Sequence, residues 1–133
     1  MKPIEKNNIE KIINEEFSAS FMNDTKWDKL IEVLTEKMDE IFVNYKLIHD
    51  ETIYFTSFDI PDFKPFFLEP IFYKEVEWIE FPEVFKIEQN IRTTRKYSKE
   101  QKQDIDSIER IINAIGEFMI ERKENNLKLY AYR

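Results

Sequence analysis

Apolar residues recur at helical spacing in three parts of the chain. Ile9, Ile12, Ile13 and Phe17 share one stripe with lysines and glutamates opposite, which predicts a helix over 4–17. Trp27, Leu30, Ile31, Leu34 and Met38 mark the inner face of a second, over 23–39. Asn23 is placed to cap it, Asp24 adds a carboxylate near the positive end of its dipole, and Met22 and Trp27 occupy the positions of a hydrophobic staple. Ile105, Ile108, Ile111, Ile112 and Ile115 form the third stripe. Ser98 and Gln101 have the spacing of a capping box, so this helix is expected over 99–115, with Gly116 in the left-handed position that ends many helices.

Between and after these stripes the period falls to two. Strands are expected over 41–48 and 52–56, joined by a short turn at His49-Asp50-Glu51, and over 72–81. Within the last, Val76 and Trp78 alternate with Glu75 and Glu77. Pro61, Pro65 and Pro70 make the stretch before it a loop or a sheet edge, because proline cannot donate to a ladder. A closing hairpin over 118–122 and 127–132 would turn at Asn125-Asn126, since asparagine tolerates positive φ. Continuous helix through this region is the alternative. The order α-α-β-β-β-α-β-β describes an α+β fold, with about three helices packed on a mainly antiparallel sheet. The length of 133 residues fits a single domain, 1–133. Trp27, Leu30, Leu34, Val76, Trp78, Ile108, Ile111 and Ile115 are its expected core.

Composition narrows the chemistry. A single glycine leaves no room for a glycine-rich phosphate loop. The absence of cysteine removes disulfides, thiolate metal sites and thiol nucleophiles, and fits a reducing cytoplasm. One histidine is too few for a histidine-rich metal centre, so no metal or cofactor is expected. The charged N-terminus does not read as a signal peptide, and no apolar run is long enough for a membrane span. The net charge of −7 is uneven: residues 50–90 carry three lysines against ten acids, while residues 91–133 carry ten basic and seven acidic groups. A negative field of this kind disfavours nucleic acid and favours a basic protein partner.

Within the acidic middle, Glu75, Glu77, Glu80 and Glu83 are the candidate carboxylates. Two carboxylates at i and i+2 on a strand lie about 6.5 Å apart, within the range of a glycosidase pair. The same alternation describes any solvated strand face, and no neighbour in sequence sets their pKa values apart. His49 beside Asp50 and Glu51 reads first as a polar turn. The basic run Arg92, Arg95, Lys96, Lys99 and Lys102 reads as a solvated linker and first helical turn rather than a phosphate site. Phe63, Phe66 and Phe67 sit among the prolines, where no strand period dictates an inside. They either fold back on the core as a lid or offer a partner an apolar anchor. The partner-binding set expected on this reading is Asp59, Asp62, Phe63, Phe66, Phe67, Glu69, Glu75, Glu77, Glu80 and Glu83, with no catalytic residue.

Three segments carry a resemblance: Asn23-Asp24-Thr25-Lys26-Trp27 opening a helix, Tyr73-Lys74-Glu75-Val76-Glu77-Trp78-Ile79-Glu80 in a strand, and Leu127-Lys128-Leu129-Tyr130-Ala131-Tyr132-Arg133 at the end. Together the chain resembles a family of small, uncharacterised bacterial proteins that look like immunity proteins of polymorphic toxin systems of the contact-dependent inhibition type. The resemblance implies a cytoplasmic, non-enzymatic inhibitor that binds a cognate toxin, a basic nuclease by the charge argument. It carries over no functional residue. A small carboxylate-dependent hydrolase and an orphan protein-binding regulatory domain are the alternative expectations.

Overall fold

A computed structural model describes residues 6–38, 40–58, 66–68, 71–90 and 96–133. Helices α1 (Lys6–Glu16) and α2 (Asp24–Lys37) come first, followed by strands β1 (Ile41–Leu47) and β2 (Ile53–Phe58). A small pair, β3 (Phe66–Leu68) and β4 (Ile71–Phe72), leads through a 3-10 turn, Tyr73–Glu75, into β5 (Val76–Phe81). Then come β6 (Val84–Asn90), β7 (Lys96–Lys102), α3 (Ile105–Ile115), β8 (Ile120–Lys123) and β9 (Asn126–Tyr130). The main sheet has five strands in the order β2-β1-β5-β9-β8, every neighbour antiparallel. The expected α+β class and element order stand, with two further small sheets, β3-β4 and β6-β7.

Strand β1 shows how this sheet is oriented. Ile41, Val43, Tyr45 and Leu47 are buried, while Phe42, Asn44 and Lys46 are only half-buried. The buried set shares one core with Ile79, Phe81, Leu127 and Leu129 of the neighbouring strands. The buried residues of all three helices join that same core: Ile9; Trp27, Leu30, Ile31 and Leu34; Ile105, Ile108 and Ile112. The helices therefore bury one face of the sheet and leave the other to different contacts. Ile111 and Ile115, expected inside, are half-buried. The α3 stripe instead centres on Ile105, Ile108 and Ile112, and the helix begins later than expected.

That later start is a correction to the helix expected over 99–115. Residues 96–102 form β7, and α3 is capped by Asp104, whose carboxylate accepts from the Ser107 N–H at 3.1 Å and hydroxyl at 2.7 Å. These hydrogen bonds hold the Asp104 carboxyl below its usual range. Gly116 is extended, with φ 166°, rather than left-handed, and its N–H still closes the helix on the Ile112 carbonyl. At α2 the expectation holds: Asn23 accepts from the Lys26 N–H at 2.8 Å. Met22 packs against the core into which Trp27 inserts.

The terminal hairpin forms, but its turn lies one residue earlier than expected, at Glu124-Asn125. Asn126 already belongs to β9, and its side chain accepts the Glu83 N–H at 3.2 Å. Glu124 carries φ 57°, the left-handed region in which a Cβ crowds the following carbonyl. Replacing Glu124 with glycine removes that cost. The variant is expected to gain about 1 kcal/mol in a denaturant titration, and a loss would show that the Glu124 side chain stabilises the turn.

Candidate protein-binding surface

The helix-free face of the sheet is built by the alternate residues of each strand. Asn44, Glu80, Lys128 and Glu121 lie in one row across it, and Lys46, Trp78 and Tyr130 in the next. Strand β2 adds Ile53 and Phe55 opposite Lys46 and Asn44. An irregularity in the β1–β5 register, where Trp78 and Val76 face the consecutive residues Lys46 and Leu47, leaves Glu77 as an extra residue in β5. The carbonyl of this bulge accepts the Ala131 N–H at 2.9 Å and the Tyr132 N–H at 3.3 Å. The bulge lets the Glu77 carboxylate reach the Lys46 ammonium at 2.9 Å, on the same side as Trp78.

Two clusters occupy this face. At one end Phe42 stacks on Phe55 at 5.8 Å, and Phe85 approaches Phe42 at 4.4 Å and Phe55 at 5.8 Å. Phe85 is held there by the base of the β6–β7 hairpin, which Gln103 fastens to β1. The Gln103 side chain accepts the Phe42 N–H at 3.1 Å and donates to the carbonyls of Phe42 at 2.8 Å and Pro82 at 2.7 Å. Ile53 and Phe55 nevertheless remain 59% and 43% exposed, on a strand with no charged residue. At the other end Lys128 lies over Trp78 at 4.0 Å and near Tyr130 at 5.2 Å, and Arg133 covers Tyr130 at 4.7 Å. Cations over aromatic faces screen these rings from water, and Trp78 is buried.

The expected site residues separate on this frame. Phe67 is 1% exposed and packs edge-on against Trp27, Tyr45 and Phe58, so it takes the lid alternative and is not an anchor. Glu75 is 2% exposed, because the chain makes a 3-10 turn there instead of continuing the strand. One of its oxygens meets His49 Nε2 at 3.1 Å and the other accepts the Phe72 N–H. Glu75 is thus a structural anchor rather than part of an acidic surface. Glu77 is half-buried and paired with Lys46. Glu80 and Glu83 stay partly exposed, Glu80 on the helix-free face and Glu83 on a groove of about 360 Å³ with Lys102, Asp104 and Arg122. Asp59, Asp62, Phe63 and Glu69 lie outside the described residues. Phe66 opens β3, and its side chain also lies outside them. Ile53, Phe42 and Phe55 were missed as site residues. The available signal was a strand apolar on both faces, with Ile53 and Phe55 on one and Tyr54 and Phe58 on the other.

Glu75 and Glu77 do not converge as an acid–base pair: one faces His49, the other Lys46. Near them the Tyr54 hydroxyl donates to Asp50, which lowers the carboxyl pKa and raises that of the phenol. Among the described residues no group of three or more metal-ligating side chains converges. A second groove, of about 480 Å³, runs between Asn23, Asp24 and Tyr132 and is crossed by the Lys74–Glu10 ion pair at 2.7 Å. Burial, together with Glu10 and Asp24, pushes the Tyr132 hydroxyl up to about 12. No described helix is long and apolar enough to cross a membrane.

The fold and this face define an α+β protein whose main sheet, among the described residues, is covered by helices on one side. The chain belongs to a family of unknown function, DUF6678, whose profile matches residues 9–133. No curated protein and no solved structure matches it.

Proposed function

We propose that this is a binding protein of the immunity type, which neutralises a cognate toxin in the cytoplasm by covering it rather than by chemistry. The observation that carries the reading is the apolar patch of Ile53 and Phe55 on the helix-free face. A chain with 35% charged residues leaves these two side chains in water, with Phe42 and Phe85 packed beside Phe55. Aromatic side chains at the centre of a patch are the usual source of affinity at an interface. The surrounding acids, Glu51 and Glu80 among them, suit a basic toxin such as a nuclease, whose approach they accelerate. The anchor is therefore assigned to Phe55 rather than Phe67, and the field to exposed carboxylates rather than Glu75.

Co-purification with the product of the adjacent gene tests the reading, together with rescue of growth when that product is expressed. Phe55→Ala is expected to leave the fold intact and to weaken the complex by about 2 kcal/mol, mainly through faster dissociation. Neutralising Glu80 should slow association at low salt and have less effect at high salt. If no toxin is bound, or if Phe55→Ala and Ile53→Ala both leave affinity and protection unchanged, the reading is wrong.

A further inference from the structure

The two edges of the main sheet are treated differently. β8, Ile120–Lys123, carries Glu121, Arg122 and Lys123, the kind of charge that discourages another strand from pairing. β2, Ile53–Phe58, has the sequence IYFTSF, without charge or proline. Among the described residues β2 pairs only with β1, so its second row of N–H and C=O groups has no ladder partner. Charge is concentrated at its ends instead. Glu51 precedes it with a side chain 99% exposed, 4.0 Å from a Lys46 ammonium that Glu77 holds more closely. Glu40 is exposed beside Ile41, which pairs with Phe58 at the other end.

We infer that the β2 edge receives an extended segment of the partner, apolar at alternate positions and basic at its ends, as a sixth strand of the sheet. The inference rests on the binding reading above and specifies how the partner docks. Main-chain hydrogen bonds along β2 supply affinity, Ile53 and Phe55 take alternate side chains of the incoming strand, and Glu51 and Glu40 select its basic ends. A second copy of this chain fits poorly. Antiparallel pairing of two β2 strands brings the Glu51 end of one beside the Glu40 end of the other, in molecules that each carry −7.

The test uses the full chain and hydrogen exchange of its backbone amides. The probes are a short peptide of alternating valine and threonine with lysine at both ends, the same peptide ending in glutamate, and two forms of the lysine peptide N-methylated at alternate residues, one in each register. The lysine peptide is expected to slow exchange along β2, and the glutamate peptide to do so less, with the difference shrinking as salt is added. N-methylation in the edge-facing register should abolish the protection. Protection elsewhere or nowhere, or protection by both N-methyl registers, overturns the proposal. So does protection of β2 that grows with protein concentration without peptide, which assigns the edge to a second copy. A toxin complex in which β2 amides still exchange freely removes strand addition but keeps the binding reading. Peptide docking without any toxin complex does the reverse for the immunity role.

Discussion

Truncating Trp27 to alanine is expected to lower the unfolding free energy by about 3–5 kcal/mol, a large share of the 5–15 kcal/mol typical of a domain. Trp27 is 2% exposed and joins α2 to the strand side of the core. Its ring stacks on Tyr73 at 5.8 Å with an interplanar angle of 12°, and Phe67 meets it edge-on at 5.8 Å. Phe67 in turn contacts Tyr45 at 5.0 Å and Phe58 at 5.3 Å. Removing the indole therefore opens a cavity where the helix, the 3-10 turn and the β3–β4 pair meet, and large rings cannot collapse into it cheaply. Urea unfolding followed by circular dichroism measures the loss, and Trp78 remains as a fluorescent reporter. An unchanged midpoint would show that this aromatic cluster does not hold α2 on the sheet. Phe55→Ala serves as the control, since half of that ring already faces water and its loss should cost less than about 1 kcal/mol.

How far the sequence reveals this arrangement depends on whether an element's partners are local. Helix α2 was legible because its cap, staple and stripe all lie within its own residues. So was the β1–β2 pair, where alternation and a short turn agree. The β6–β7 hairpin was not legible. β7 reads KYSKEQK, with no apolar period to mark it, and pairs along its length with β6 over Val84–Asn90. Ser98 and Gln101 imitate a cap, whereas the cap that forms, Asp104 with Ser107, lies six residues further on. The role of Gln103 depends on Phe42 and Pro82, remote in sequence and near only after folding.

The candidate surface was half legible for a related reason. Period two separates the faces of a strand but does not say which one the helices cover. The aromatic wealth of the middle third was plain, yet Phe67 went inward and Phe55 outward. The expected acidic face failed at Glu75 and Glu77, where a 3-10 turn and a bulge break the alternation on which it relied.

Replacing Glu75 with leucine is expected to cost about 2–4 kcal/mol, although the substitution makes the residue more hydrophobic. Its carboxylate, 2% exposed, connects three pieces of chain: the 3-10 turn that carries it, the Phe72 N–H at the end of β4, and His49 at the turn between β1 and β2. Leucine fills the space but removes the carboxylate oxygens that the Phe72 N–H and the His49 ring meet, and losing a hydrogen bond in a partly buried site costs more than a made one contributes. The Ile48 N–H bond to the Glu75 carbonyl, 2.8 Å, survives the change, so the turn should loosen rather than detach. Glutamine separates shape from charge. Its amide oxygen can accept from Phe72 and its NH₂ can donate to an unprotonated His49 nitrogen, so Glu75→Gln should cost about 1 kcal/mol or less. A double-mutant cycle with His49→Phe isolates the pair, and the two losses should fall short of additivity because either change removes the same contact. Additive losses would show that Glu75 acts through Phe72 alone. A leucine variant as stable as the parent would mean that the carboxylate is solvated, and Glu75 would return to the acidic surface available to a partner.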